Sequence, residues 1–405
     1  MNGPELCRRA LALAASVAAE AVRLRRDFHR HPEIGFQEQR TTGVIAGRLG
    51  ELGLEVVRPR GRTGVIGRLL PAKAAARRRP AVALRADIDA LPVQELNDCG
   101  FRSENPGVAH LCGHDAHAAM LLAAAQALAG ERAELPRPVT FIFQPAEECI
   151  PNGAPVMIAA GALRGAGEVY GLHMAPDRPL GVLANRIGAN MASMDRFDME
   201  VVGKGGHGAI PHRTSDPVVA TAAVIQALQT VVSRRIDPLE PAVVSVCTLS
   251  APGAFNVIPD RVALKGTCRS LSPEVHAALP VLVRRLAGGA ARAHGCRVRM
   301  RYSRGTPVLM NSAAGVEKVR RLWCGLIACR PGGMRPPREP VAEGRPTMGG
   351  EDFAFYLQKL PGAFSFLGAA PEGEPAAPYH NPKFTLNERA LGLGVAMHIA
   401  LALED

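Results

Sequence analysis

Val139-Thr140-Phe141-Ile142-Phe143 is a run of β-branched and aromatic residues that stops at Pro145 and is followed at once by Glu147-Glu148. A short, continuously apolar run closed by a proline predicts a strand buried on both faces. Similar runs occupy 81–85 and 168–172, and between them 116–128 is an unbroken helix former of Ala, Leu and Met. Strands without alternation, separated by a helix, predict a sheet covered by helices on both sides, the α/β class.

Near residue 190 the pattern changes. Phe197, Met199 and Val201 alternate with Asp198 and Glu200, which predicts a half-exposed strand. A helix over 217–232, strands over 243–249 and 261–268, a helix over 273–294 and a strand over 297–302 follow. The order β-α-β-β-α-β predicts a ferredoxin-like unit, with helices on one face of an antiparallel sheet. The expected organisation is therefore discontinuous. Residues 1–190 and 303–405 form one α/β domain, interrupted by a smaller domain over 191–302.

With 47% apolar and 21% charged residues, the chain can bury a full core. It has no apolar run long enough to span a bilayer. The stretch 4–26 lacks a basic start and a hydrophobic block, so a surface helix is expected there and not a signal peptide. Nine cysteines without regular spacing do not make a disulfide framework, and a cytoplasmic location is expected. The formal charge of +11 raises nucleic acid as a partner. The arginines are scattered, however, and four tyrosines and one tryptophan offer little for bases to stack on, so neither nucleic acid nor membrane is expected as a partner. Arg77-Arg78-Arg79 in the Ala-rich stretch 72–80 is expected in a solvated loop.

The chemistry concentrates in a few places. His110-Leu-Cys-Gly-His-Asp-Ala-His117 puts one thiol and three imidazoles beside a helix start. Cys, His and carboxylate bind borderline divalent metals. Asp87, Asp89, the Glu147-Glu148 pair and His173 each follow the end of an expected strand, where ligands of open α/β sheets collect. Consecutive glutamates point apart, so one can bind a metal while the other takes a proton from an activated water. His117, one turn after His114, is a candidate support.

These stretches, with Arg85-Ala-Asp-Ile-Asp-Ala-Leu-Pro92, Gly171-Leu-His-Met174, Gly203-Lys-Gly-Gly-His-Gly-Ala-Ile-Pro-His212 and Gly349-Gly-Glu-Asp-Phe353, resemble the M20 peptidase superfamily. More narrowly they resemble its amidohydrolase branch of hippurate, N-acyl-amino-acid and auxin-conjugate hydrolases. The resemblance implies two divalent ions per subunit (manganese, zinc, nickel or cobalt). Cys112 would be the bridging ligand, with His114, Glu148, His173 and His380 completing the set. It implies Glu147 as general base and acid, and Asp87 and Asp89 behind the metals. His207, in the lid, would reach the active site of a second copy in a homodimer. Asn256 and Arg269 are implied to hold polar groups of a small N-acyl amino acid. The implied reaction cleaves that amide to a carboxylic acid and a free amino acid. A dipeptidase or aminoacylase of the same superfamily, or a catalytically silent metal-binding relative, is the alternative. Leu111 and Cys149 depart from the family's usual small residue and glycine without removing a ligand.

Overall fold

A computed structural model of the chain describes residues 3–330, 337, 339–373 and 375–405. They fold into two compact units. The larger comprises Met1–Gly188, Met310–Arg345 and Phe355–Asp405, and the smaller Ala189–Leu309 and Pro346–Ala354. Among the described residues no helix is long and apolar enough to cross a membrane.

The larger unit is built on an eight-stranded sheet. Its order is Glu55–Val57, Val65–Leu69, Val139–Gln144, Ala81–Asp87, Ala166–Ala175, Gly362–Gly368, Leu183–Asn185, Val341–Glu343. The four strands from Val139–Gln144 to Gly362–Gly368 are parallel neighbours, and the outer ones include antiparallel pairs. Every residue of Ala81–Asp87 and Val139–Gln144 is buried, which is why these strands read as unbroken apolar runs. Helix His114–Ala129 is buried along nearly its whole length, between Ala18–Arg30 and Arg389–Leu403. A helix enclosed on all sides needs no polar face, hence its Ala/Leu/Met composition.

The amino terminus is helical with an exposed polar face, as expected, but in two pieces and not one. It forms two helices, Gly3–Ser16 and Ala18–Arg30, whose Leu6, Ala10, Leu24 and Phe28 lie in the main core. The Ala-rich stretch also departs from a plain loop, since Ala74–Arg77 closes one helical turn.

The smaller unit carries a four-stranded antiparallel sheet in the order Ala242–Ser250, Arg261–Ser270, Ser193–Val202, Arg297–Thr306. Helices Pro217–Arg235 and Pro273–Ala293 connect the strands in the β-α-β-β-α-β succession of a ferredoxin-like unit. Phe197, Met199, Val201 and Leu264 meet Val224, Leu228 and Val283 in a separate core. Asp216 and Ser272 cap the two helices through their side-chain oxygens.

Candidate metal centre

The carboxyl ends of the central strands and the start of the buried helix bring the predicted donors of the larger unit together. Cys112, His114 and His173 form one group whose ligand atoms lie within 4.8 Å of one another, and Cys112, Glu148 and His380 form a second. Both groups share the Cys112 sulfur. His114, Glu147 and Glu148 make a third such group, which sets Glu147 beside the other two.

The local backbone explains how these side chains converge. Gly113 caps the helix with φ 99°, a left-handed conformation. A Cβ there would stand 3.3 Å from Met174 Cβ and 3.4 Å from His117 Nε2, so the glycine of Cys-Gly-His meets both a conformational and a spatial demand. Among the described residues Ala146, just before Glu147, and His380 itself are two of the three non-glycine residues with positive φ, at 55° and 65°. Such conformations persist only where the surroundings hold them. Glu38 supplies that hold at Ala146 by accepting its N–H at 2.9 Å. At His380 the backbone N–H donates to Leu111 O at 2.9 Å, and the Tyr379 hydroxyl donates to Met174 O at 2.9 Å.

His114, His173 and the Glu148 backbone are each held by a further contact. His114 Nδ1 donates to Asp89, to its carbonyl at 3.0 Å and its Oδ1 at 3.2 Å, while the other Asp89 oxygen accepts Glu148 N–H at 2.9 Å. His173 Nδ1 donates to Met174 O at 2.9 Å, which leaves Nε2 as the basic nitrogen, 3.5 Å from Cys112 Sγ. His117 is engaged at both nitrogens. Nε2 accepts Met174 N–H at 2.8 Å and Nδ1 donates to Asp87 Oδ1 at 2.6 Å, so it supports the strand that carries His173 and has no lone pair for an ion. His398 lies buried in the helix Arg389–Leu403, outside the donor groups, and burial pushes its pKa down to about 3.

The electrostatics fit a cationic guest. Burial pushes the Cys112 thiol up to about 12, so the protein alone keeps it neutral and nearby positive charge is needed to ionise it. Burial also opposes ionisation of Asp87, but His114, Arg85 and His117 outweigh it and hold the carboxyl well below its usual range. His114 Nε2 is buried with no hydrogen-bond partner, although its Nδ1 is fixed. Glu148 Oε1 stands 3.0 Å from His380 Nε2, within ion-pair reach yet not aligned as a hydrogen bond. Two ligands turned to one ion have that relation. Zinc–sulfur and zinc–nitrogen bonds of about 2.3 and 2.0 Å set tetrahedral donors about 3.5 Å apart, which matches the Cys112–His173 spacing.

Two buried supports carry no signal in the sequence. Glu38 accepts from the Thr63 hydroxyl as well as Ala146 N–H, and burial raises its carboxyl to about 7. His29 donates from Nδ1 to Asp115 at 2.9 Å and from Nε2 to Glu95 at 3.0 Å. Burial acts to lower its pKa, and the two carboxylates outweigh that and raise it. Asp115 follows His114 directly, and Asn97 donates both to Glu95 and to Phe384 O. The charged imidazole thereby ties the helix start to the segment after His380.

The remaining candidates lie in the smaller unit. His207 is exposed in the short strand Gly206–His207, which pairs with Val257–Ile258. Its Nδ1 accepts Ala209 N–H at 3.1 Å, which places the ring proton on Nε2. Asn256 is exposed on the adjoining turn, and its carbonyl accepts Gly208 N–H at 2.9 Å. Arg269 is half-buried on the sheet, beside Met194 and Val243, and burial lowers its pKa.

Comparison with known proteins supplies the family. Residues 83–404 match the model of peptidase family M20/M25/M40. The chain is 39% identical to the N-acetylcysteine deacetylase of Bacillus subtilis over 94% of its own length and 96% of that protein's. It is 36% identical to the IAA-amino acid hydrolase ILR1-like 2 of Arabidopsis thaliana, over 95% and 84%. Among solved structures, the Bacillus subtilis YXEP protein, a dinuclear metal binding peptidase, superposes with a TM-score of 0.80 at 34% identity, covering 96% of this chain and 98% of that one. With the family's pattern spread over both units, the chain belongs to the M20/M25/M40 peptidase family, on the side of it whose named members are amidohydrolases.

Proposed function

We propose that this protein hydrolyses the amide bond of N-acyl amino acids, hippurate-like compounds among them, at a centre of two divalent ions. Family membership carries the coarser statement, that of a metal-dependent hydrolase acting on amide C–N bonds. The observation that supports the finer one is the pair of donor groups sharing Cys112 Sγ, with Glu147 beside them. His114 and His173 would hold one ion and Glu148 and His380 the other. Asp89 and Asp87 would orient the donors from behind.

When bound, such ions polarise the amide carbonyl and lower the pKa of water. The chain's own groups do the rest. Glu147 takes the proton of the attacking water and returns it to the leaving nitrogen. His207 of a second copy donates its Nε2–H to the negative charge that develops on the amide oxygen. Arg269, by its two-pronged guanidinium, and Asn256 hold the carboxylate and polar groups of the amino acid. The donor set suits zinc through the thiolate and manganese, nickel or cobalt through the carboxylates.

The test is amine release from benzoyl, acetyl, indoleacetyl and long-chain acyl amino acids, by protein loaded separately with manganese and zinc. Hydrolysis of one acyl class, abolished by a chelator, is expected. Cleavage of dipeptides with no activity on any acyl amino acid would overturn the reading.

A further inference from the structure

The smaller unit has a charged face whose cations, Arg269 apart, the reaction outlined above leaves unused. Along Arg297–Thr306, Val298, Met300 and Tyr302 pack with the core, while Arg297, Arg299 and Arg301 are exposed on the opposite side of the sheet. Their neighbours on the next strand are Val202, Glu200 and Asp198. Beyond these, on the third strand, stand Arg261, Ala263 and Lys265. Farther along the same side come Arg196, and then Arg269 beside Met194. Alternate residues of a strand are about 6.7 Å apart and adjacent strands about 4.8 Å, so neighbouring cations lie within about one Debye length of one another, whereas the full reach from Arg297 to Arg269, roughly 28 Å, falls within a Debye length only at about 10 mM salt.

Against this charge the paired strands turn only Asp198 and Glu200 to that side. Asp198 is taken by Arg196 at 2.9 Å, and Glu200 lies 3.8 Å from Arg261. Among the described residues Arg297, Arg299, Arg301, Lys265 and Arg269 have no carboxylate within ion-pair reach. Self-repulsion on so compact a patch costs stability unless an anion visits it. The aromatic rings of these strands, Phe197 and Tyr302, lie with the core, so the open side has nothing on which bases could stack. A small, highly charged anion fits such a face better than a nucleic acid strand. At the Arg269 end the segment Pro346–Ala354 closes in, where a Cβ on Gly350 would stand 3.5 Å from the guanidinium and 2.9 Å from Thr306 Oγ1.

We propose that this sheet face recruits anionic substrates to Arg269 and so favours N-acyl amino acids bearing two negative charges over those bearing one. The proposal rests on the N-acyl amino acid reading. Attraction to a fixed positive potential scales with ligand charge and is screened by salt, so the signature is a salt dependence that steepens with substrate charge.

The experiment compares the methionine and glutamate conjugates of whichever acyl group the panel identifies, using metal-loaded protein from about 10 mM to about 300 mM salt. For the glutamate conjugate kcat/KM should fall about tenfold over that range, and for the methionine conjugate about threefold. The triple variant R297Q/R299Q/R301Q should bring the two slopes together. R297K/R299K/R301K, which keeps charge and changes shape, should restore them. Equal slopes for both conjugates in the unmodified protein, or slopes unaltered by the glutamine variant, would overturn this proposal and leave the hydrolase reading standing. Failure to cleave any acyl amino acid would remove the hydrolase reading and this proposal with it. A single-stranded oligonucleotide held by the unmodified protein at about 150 mM salt but not by the glutamine variant would assign the face to nucleic acid, and overturn it too.

Discussion

The two units carry their candidate residues in opposite states. In the larger unit the donor side chains sit at strand ends under a buried helix. His114 and His173 each have one nitrogen fixed by a protein acceptor, and Asp89 alone holds both His114 and the Glu148 backbone. In the smaller unit His207 and Asn256 are exposed, and Arg269 has no carboxylate partner among the described residues. The first arrangement has already met the entropy cost of ordering its ligands before an ion arrives. The second leaves that cost to be met when substrate or, on the reading proposed above, a second copy engages. Substitutions in the larger unit should therefore act on metal retention or on the proton transfer itself, and those in the smaller unit on contacts to substrate and transition state that form only on binding.

The largest effect is expected where the reaction has no substitute group. Glu147→Ala should lower kcat by about 10²–10⁴-fold while the metal content, read by elemental analysis, stays at the unmodified level. Loss of metal in that variant would show Glu147 to be a ligand and would blur the contrast between the units. Next comes His207→Ala, with a fall of about 10²–10³-fold in kcat and no change in metal affinity. If His207 acts on the partner's site, mixing the Glu147→Ala and His207→Ala proteins should return about a quarter of the unmodified activity, because half the dimers then carry one complete site. No recovery on mixing would place His207 at its own subunit's site.

How much of this the sequence disclosed follows from where each signal lies. The strands 81–85 and 139–143 were legible because burial on both faces leaves an unbroken apolar run. The strand 297–302 was legible because its Arg-x-Arg-x-Arg alternation marks one wet face. Cys112-Gly-His114 and Glu147-Glu148 were legible by spacing. His380 was not, since a loop selects it through a left-handed backbone, the Leu111 carbonyl and the Tyr379–Met174 bond, none of which has a local signature. His398, farther along the chain, is instead a buried helix residue. The spacing of His114 and His117 put both on one helix face, but the Met174 N–H, far along the chain, decides that His117 is a support. Glu38 and His29 went unseen because their importance comes from depth, and a polar residue in the sequence does not announce that it is buried.

A smaller effect should separate orientation from ligation. Asp89→Asn keeps an acceptor for Glu148 N–H and removes the charge that steadies His114. It should weaken metal binding by about 10–100-fold in a chelator competition, with kcat recovered at saturating metal. A kcat that stays low at saturation would mean that Asp89 takes part in the reaction and does not simply brace the donors.

The smallest effect concerns the brace behind Glu147. Burial raises the Glu38 carboxyl from its ordinary 4.5 to about 7. In the metal-free folded protein this group therefore keeps a proton that the unfolded chain has already released. A carboxyl raised on folding adds to stability at pH below its ordinary value, and that contribution is lost as pH climbs from about 4.5 to about 7. The metal-free protein should accordingly unfold at lower denaturant as pH rises through that window. Glu38→Gln, which keeps an acceptor for Ala146 N–H and carries no charge at any pH, should flatten the curve and gain most above pH 7. A Gln variant with the same pH dependence as the parent would mean that Glu38 is ionised in the fold, held by the Thr63 hydroxyl and Ala146 N–H against the cost of burial. The rigidity of the Glu147 loop would then come from a charged brace, and the larger unit would store even more of its order in advance than the smaller one does.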